Sequence, residues 1–210
     1  MNIKKIANNT LQFTINRLIE ILAIAVSIIG FLLLISLIFY SPSDPNFIFP
    51  ENTEIKNILG FKGSFVSDLF LQSLGLVSYL IPITLIFTGY FILKIKDLFL
   101  IVENLFYTIP YCIFGSLFLN YFYNENFLLF INGNGGFVGN YLNQTFLNKI
   151  VETNDIIFYY VLILLTISFF LISINFNPKK LYLFLKKLKK NQNYTSKDEI
   201  INEYIPQDEI

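Results

Sequence analysis

The chain has 210 residues, 54% of them hydrophobic and only 14% charged; soluble domains are nearer about 25% charged, so the class is integral membrane. Lys+Arg and Asp+Glu balance at 15 each, so net charge singles out no partner. There is no His and no Trp, and Cys112 is the one cysteine, which excludes an internal disulfide framework and Cys/His metal sites.

Residues 1–17 are short and basic, with Lys4, Lys5 and Arg17 and no acid. Ile21–Tyr40 then carries no charge, and about 20 apolar residues suffice to cross a bilayer as helix. A secretory signal has a shorter apolar core and a small-residue cleavage site; neither fits, so this is a retained first span from about Leu18. Glu20 at its entrance reads as an interfacial charge. Ser41-Pro42-Ser43-Asp44-Pro45 stops the helix, since proline lacks an N–H and disfavours helix at the preceding residue.

In the loop over residues 41–68, Asp44, Glu51, Glu54 and Asp68 outnumber Lys56 and Lys62. Ser64 is the expected N-cap of the next helix, because a short hydroxyl can accept from exposed backbone N–H groups. The second span is residues 69–93, with Pro82 expected to kink it at mid-span. Gly75, Ser78, Thr84 and Gly89 are small residues suited to close helix packing. After a turn containing Lys94 and Lys96, the third span covers residues 98–123, with Pro110 as a second kink. Glu103 is within reach of Lys96 or of a base on another helix.

The second long loop, residues 124–155, is again acidic and contains Gly133-Asn134-Gly135-Gly136-Phe137-Val138-Gly139. No strand pattern precedes these glycines and no Gly-Lys-Ser/Thr follows, so they are not a phosphate loop. Val138, Leu142, Phe146 and Ile150 recur every four residues, which predicts an amphipathic helix on the membrane surface or capping the bundle.

The fourth span is residues 156–176. Beyond Pro178, Lys179, Lys180, Lys186, Lys187, Lys189 and Lys190 alternate with Leu181, Phe184, Leu185 and Leu188. This predicts a basic juxtamembrane helix over residues 179–190 that contacts anionic lipid, each Lys contributing about 1 kcal/mol. Residues 191–210 are polar and acidic, and read as a solvated, disordered linker or tail.

Basic residues cluster before span one, after span two and after span four, whereas the two long loops hold only Lys56, Lys62 and Lys149. By the positive-inside rule both termini face the cytoplasm and both long loops face outward. The expected architecture is an all-α integral membrane protein: a four-helix transmembrane bundle over residues 18–178, with the amphipathic loop helix and the basic helix added. No nucleophile–base pair, metal cluster or Walker sequence is present, and no cofactor is implied. The spans hold no central charge of the kind a transport path uses. A membrane anchor or assembly module is therefore expected, with a small four-span transporter or channel component, or an unrelated scaffold, as the alternative.

One resemblance narrows this. The exit Ser41-Pro42-Ser43-Asp44-Pro45-Asn46-Phe47 resembles the first-span exit of the N-terminal four-span domain of the FtsK/SpoIIIE DNA translocases. It continues at Asn57, Gly60, Gly63, Asp68, Gly75, Tyr79 and Pro82, which are similar to that family's N-x-x-G-x-x-G, Asp and G-x-x-x-Y-x-x-P pattern. Gly135, Gly136 and Gly139 are similar to its Gly-Gly-x-x-Gly. The resemblance covers roughly residues 18–180. It implies a bacterial inner-membrane protein at the division septum, anchoring a hexameric ATP-driven DNA pump that segregates chromosomes. It further implies self-association and contacts with division proteins, and DNA contact only through a motor. No Gly-x-x-x-x-Gly-Lys-Ser/Thr occurs in the sequence, so neither ATPase nor DNA-binding roles carry over to any residue here. The motor belongs to a longer product, or is encoded separately, or is dispensed with.

Overall fold

The computed structural model describes residues 3–45, 54–123, 131–145 and 154–179, together with 182, 183 and 186. Six α-helices and one 3-10 segment account for the regular structure named below: α1 (Ile3–Ile38), α2 (Gly60–Leu74), the 3-10 turn η1 (Gly75–Tyr79), α3 (Leu80–Ile95), α4 (Phe99–Phe122), α5 (Gly136–Asn143) and α6 (Asp155–Ser173). There is no strand among the described residues. Among the described residues, four stretches are long and apolar enough to cross a membrane: Asn8–Ile38, Gly60–Ile95, Phe99–Phe122 and Asp155–Ser173.

Two antiparallel hairpins make the bundle. In the first, α1 pairs with α3: Tyr79 donates to the Leu37 carbonyl, Gly30 meets Leu85 and Ile86, Gly89 meets Ala23 and Ser27, and Lys96 reaches Glu20. Lipid tails are as apolar as Leu, so close packing rather than hydrophobicity holds such helices together. Gly30 and Gly89 supply it, since a Cβ on either would press on the opposite helix. In the second hairpin, α4 pairs with α6 through Tyr111–Phe170, Phe114–Phe169 and the Phe118/Phe122–Tyr159 cluster. Much of the outer surface of both hairpins is bare apolar side chain, as at Ile24, Ile28, Phe31, Phe106, Ile109 and Leu164, which is what a bilayer solvent requires.

The second apolar stretch is not one straight helix. Ser36 donates to Gly63, and one turn further on Tyr40 donates to Asp68. These contacts step the same way along both helices, so α2 climbs beside the end of α1 instead of returning. The return is made by η1 and α3. At about 2.0 Å per residue for η1 and 1.5 Å for α3 they span about 34 Å, enough for a core about 30 Å thick. Pro82 is thus the third residue of α3, a first-turn position where no helical N–H is lost. The break in the stretch is at Gly75–Tyr79, just before Pro82. Pro110 lies inside α4.

A buried cluster of Leu33, Leu37, Leu71, Val77, Ile81, Tyr111 and Cys112 joins α1, α2, η1, α3 and α4. The two hairpins are also tied by hydrogen bonds. Thr84 lies 3.1 Å from the Tyr111 hydroxyl and 3.0 Å from Ser173 Oγ. Asn104 donates to Thr88 at 2.8 Å and accepts from Asn175 at 3.0 Å.

Residues 1–175 form one compact unit and Phe176–Ile210 a second. Of the second, residues 178, 179, 182, 183 and 186 are described as helical. Lys179 and Lys186 of the basic cluster are among them, whereas Lys180, Lys187, Lys189, Lys190 and residues 191–210 lie outside the described residues, as do Phe146 and Ile150.

Candidate functional site

The polar groups concentrate at the end of the bundle where α1 stops. Asp44 is 1% exposed. Its two carboxylate oxygens accept the backbone N–H of Lys56 at 3.0 Å and of Asn57 at 2.9 Å. Each oxygen thus replaces water for one buried donor, and such charge-assisted bonds are the stronger kind. Asn57 extends the clasp: its Nδ2 donates to the Ser36 carbonyl, and its Oδ1 accepts the Leu59 N–H. The loop after the first span is therefore pinned to α1 at one residue and to itself at another. Ser41 and Ser43 pair through their hydroxyls beside exposed Pro42, and the carbonyl of buried Pro45 accepts from Ser64 Oγ at 3.0 Å.

Ser64 is not an N-cap, because it lies inside the helix. Helix α2 begins at Gly60, with Leu59 before it and no side-chain cap bond. Gly60 adopts φ +67 with open space around it, and its N–H closes a turn on the Asn57 carbonyl. Gly63 is buried against the Asn57 side chain.

The glycines of the second loop sit on the break in the second apolar stretch. Gly75 (φ +70) and Gly136 (φ +65) are in contact, and a Cβ on either would meet the other segment's backbone. Leu76 donates its N–H to the Asn134 carbonyl at 3.0 Å. Gly135 and Gly139 rest on Ser116 and Asn120 of α4. Around them runs a network of amides: Asn120 donates to Asn140, Asn140 to the Asn132 carbonyl, Asn132 to Gln72, and Asn134 to the Tyr123 carbonyl. Helix α5 buries Gly136 and Gly139, while Val138 and Leu142 are half-buried and Phe137 and Tyr141 stack on its exposed side.

Asp68, Gln72 and Tyr40 form a third group here, with Tyr40 OH 3.2 Å and Gln72 Nε2 3.5 Å from Asp68 Oδ1. At the opposite end, Glu20 binds both Arg17 and Lys96 at 2.5 Å. Lys96 is therefore held by Glu20 and not by Glu103, which is exposed.

Most of the motif positions read from the sequence fall into two assemblies. Ser41, Pro42, Asp44, Pro45, Gly60, Gly63 and Asp68 belong to the folded first loop and α2; Gly75, Gly135, Gly136 and Gly139 belong to the loop–η1 contact. Tyr79 and Pro82 start the return helix, with Tyr79 anchored on Leu37. Sequence reading did not single out Asn104, Asn120, Asn132 and Asn140. Their signal was visible: uncharged amides inside or beside apolar stretches, which in lipid must find partners. Among the described residues no group of three or more His, Cys, Asp or Glu is placed to hold a metal.

The arrangement fixes loops and helix ends to one another. Comparison with curated proteins and with solved structures gives no match. Residues 16–176, which take in most of the first membrane-crossing stretch, the whole of the other three and both loop assemblies, match the family described as the 4TM region of DNA translocase FtsK/SpoIIIE, and the chain belongs to that family.

Proposed function

We propose that this protein is the membrane-anchoring and assembly domain of a bacterial cell-division DNA translocase, acting in chromosome segregation at the septum. The matched region is the membrane part of that family rather than its motor, and the observation that carries the proposal is the extent of the match over the whole bundle. Both termini lie in the cytoplasm and both long loops outside the inner membrane, as the distribution of Lys and Arg favours. A motor on the cytoplasmic side would then handle DNA, with this chain contacting lipid, copies of itself and division proteins. The lysines from Lys179 to Lys190 lie against anionic lipid. An anchor also suits the interior polar groups: Thr84, Thr88, Asn104, Tyr111, Ser173 and Asn175 bond to one another across helices, as packing groups do.

The test is a fluorescent fusion expressed at native level. Enrichment at constriction sites is expected, and even distribution round the envelope overturns the septal role. Reporter fusions at Glu51 and at the C-terminus check orientation; an outward C-terminus overturns the anchor.

A further inference from the structure

A pocket of about 360 Å³ opens beside Asp68. Phe65, Leu69 and Ile131 give it apolar walls, and Asp68, Gln72 and Asn132 give it polar groups. The geometry points to a binding site for an organic cation on an apolar stem, filled by a Lys or Arg side chain of a partner polypeptide.

Four observations carry this. Asp68 is only 8% exposed yet lines the pocket, and a buried charge is costly unless paired. Among the described residues its hydrogen bonds come from neutral donors, Tyr40 at 3.2 Å and Gln72 at 3.5 Å. Both are longer than charge-assisted bonds, roughly 2.5–2.7 Å from O–H and 2.7–2.9 Å from N–H donors, and a carboxylate has about four acceptor positions, so capacity is left for a cation. Gln72 is itself held, its Oε1 and backbone carbonyl accepting from Asn132, so the floor of the pocket is tied to its rim.

The shape selects the ligand class. The volume is at the small end of the roughly 300–1,000 Å³ typical of ligand pockets, and apolar walls suit the methylene stem of Lys or Arg below its charged head. One carboxylate with amides is too few ligands for a calcium ion, which takes about six to eight oxygens. An aminated lipid headgroup would place its phosphate two carbons from the ammonium, against Asp68. Septal localisation has no part in this inference, so either can fail without the other.

The test uses the full chain in detergent micelles, with the Gln72 and Asn132 side-chain amide resonances as the readout, and that of Asn132 alone in the Gln72→Glu variant. Butylammonium and butylguanidinium should each shift these saturably and at least tenfold more tightly than 1-butanol. Asp68→Asn should weaken both cations about tenfold, and Gln72→Glu, which adds a carboxylate to the same floor, should tighten them. Loss through misfolding cannot produce the second effect. Equal binding of butanol, an unchanged Asp68→Asn, or no tightening by Gln72→Glu overturns the site. N-acetyl-lysine amide should compete with butylammonium; if dihexanoyl phosphatidylethanolamine competes and the lysine derivative does not, the occupant is a lipid and the polypeptide assignment is overturned.

Discussion

Gly75 and Gly136 stand back to back, each in a positive-φ conformation, and each without room for a Cβ because of the other's segment. This contact is where the second loop meets the break in the second apolar stretch. It also lets Leu76 bond the Asn134 carbonyl. Gly75→Ala and Gly136→Ala should each lower stability by at least about 1–3 kcal/mol, the cost of strained backbone at a non-glycine residue. The double variant should cost less than the sum, since both disrupt one contact. Unfolding in mixed micelles followed by circular dichroism measures this. Gly60→Ala is the control: it has positive φ but open space, so only the left-handed penalty of about 1–2 kcal/mol applies.

Asp44 carries a second prediction. Asp44→Ala leaves the Lys56 and Asn57 N–H groups without their acceptor, a loss of about 3 kcal/mol by the range for bonds to charged groups. Asp44→Asn keeps one acceptor oxygen and should lose about half as much. Faster protease cleavage between residues 45 and 57 in the Ala variant is the independent check.

The Glu20–Lys96 pair joins the start of the first span to the turn after α3. Lys96→Glu should destabilise the bundle, and adding Glu20→Lys should restore it. Glu103→Gln should change nothing, because Glu103 is exposed and Lys96 is engaged elsewhere. The effect should shrink at high salt, since the pair is partly exposed. Melting temperatures of the four proteins at two salt concentrations decide it.

The hydroxyls between the hairpins give a fourth. Tyr111→Phe and Thr84→Val each remove bonds of the Thr84–Tyr111–Ser173 group and should cost about 0.6 kcal/mol per bond, the average for interhelical bonds in membranes. Proteoliposomes of either variant should show the same proton and ion leak as the parent. A changed leak would favour the transporter alternative over the anchor.

Much of this protein was legible because lipid imposes simple rules. A backbone in hydrocarbon must satisfy itself, so uncharged stretches of sufficient length have to be helices. Ile21–Tyr40 and the stretches starting near Leu98 and Ile156 could be read that way. Residues 60–95 could not be read fully. Hydropathy counts apolar residues without regard to direction, so it merges α2, η1 and α3 into one stretch. Only the stepwise contacts Ser36–Gly63 and Tyr40–Asp68 reveal that α2 does not carry the chain back. Ser64 failed as a cap because α2 begins four residues earlier, at Gly60, which places Ser64 inside the helix.

The sequence by itself determined the solvent, the helical class, the number of membrane-crossing stretches and the family, because each follows from local composition and from ordered short motifs. It also placed the glycines and prolines that mark breaks. Tertiary structure alone decided what those marks are for. Gly75 and Gly136 are separated by sixty residues and explained only by each other's backbone. Asp44 looks like a turn residue until Lys56 and Asn57 close on it, and Asp68 looks like a stray loop charge until burial sets it in a pocket. Such roles depend on which distant groups compete for the same acceptor or the same space, and local sequence carries no record of that competition.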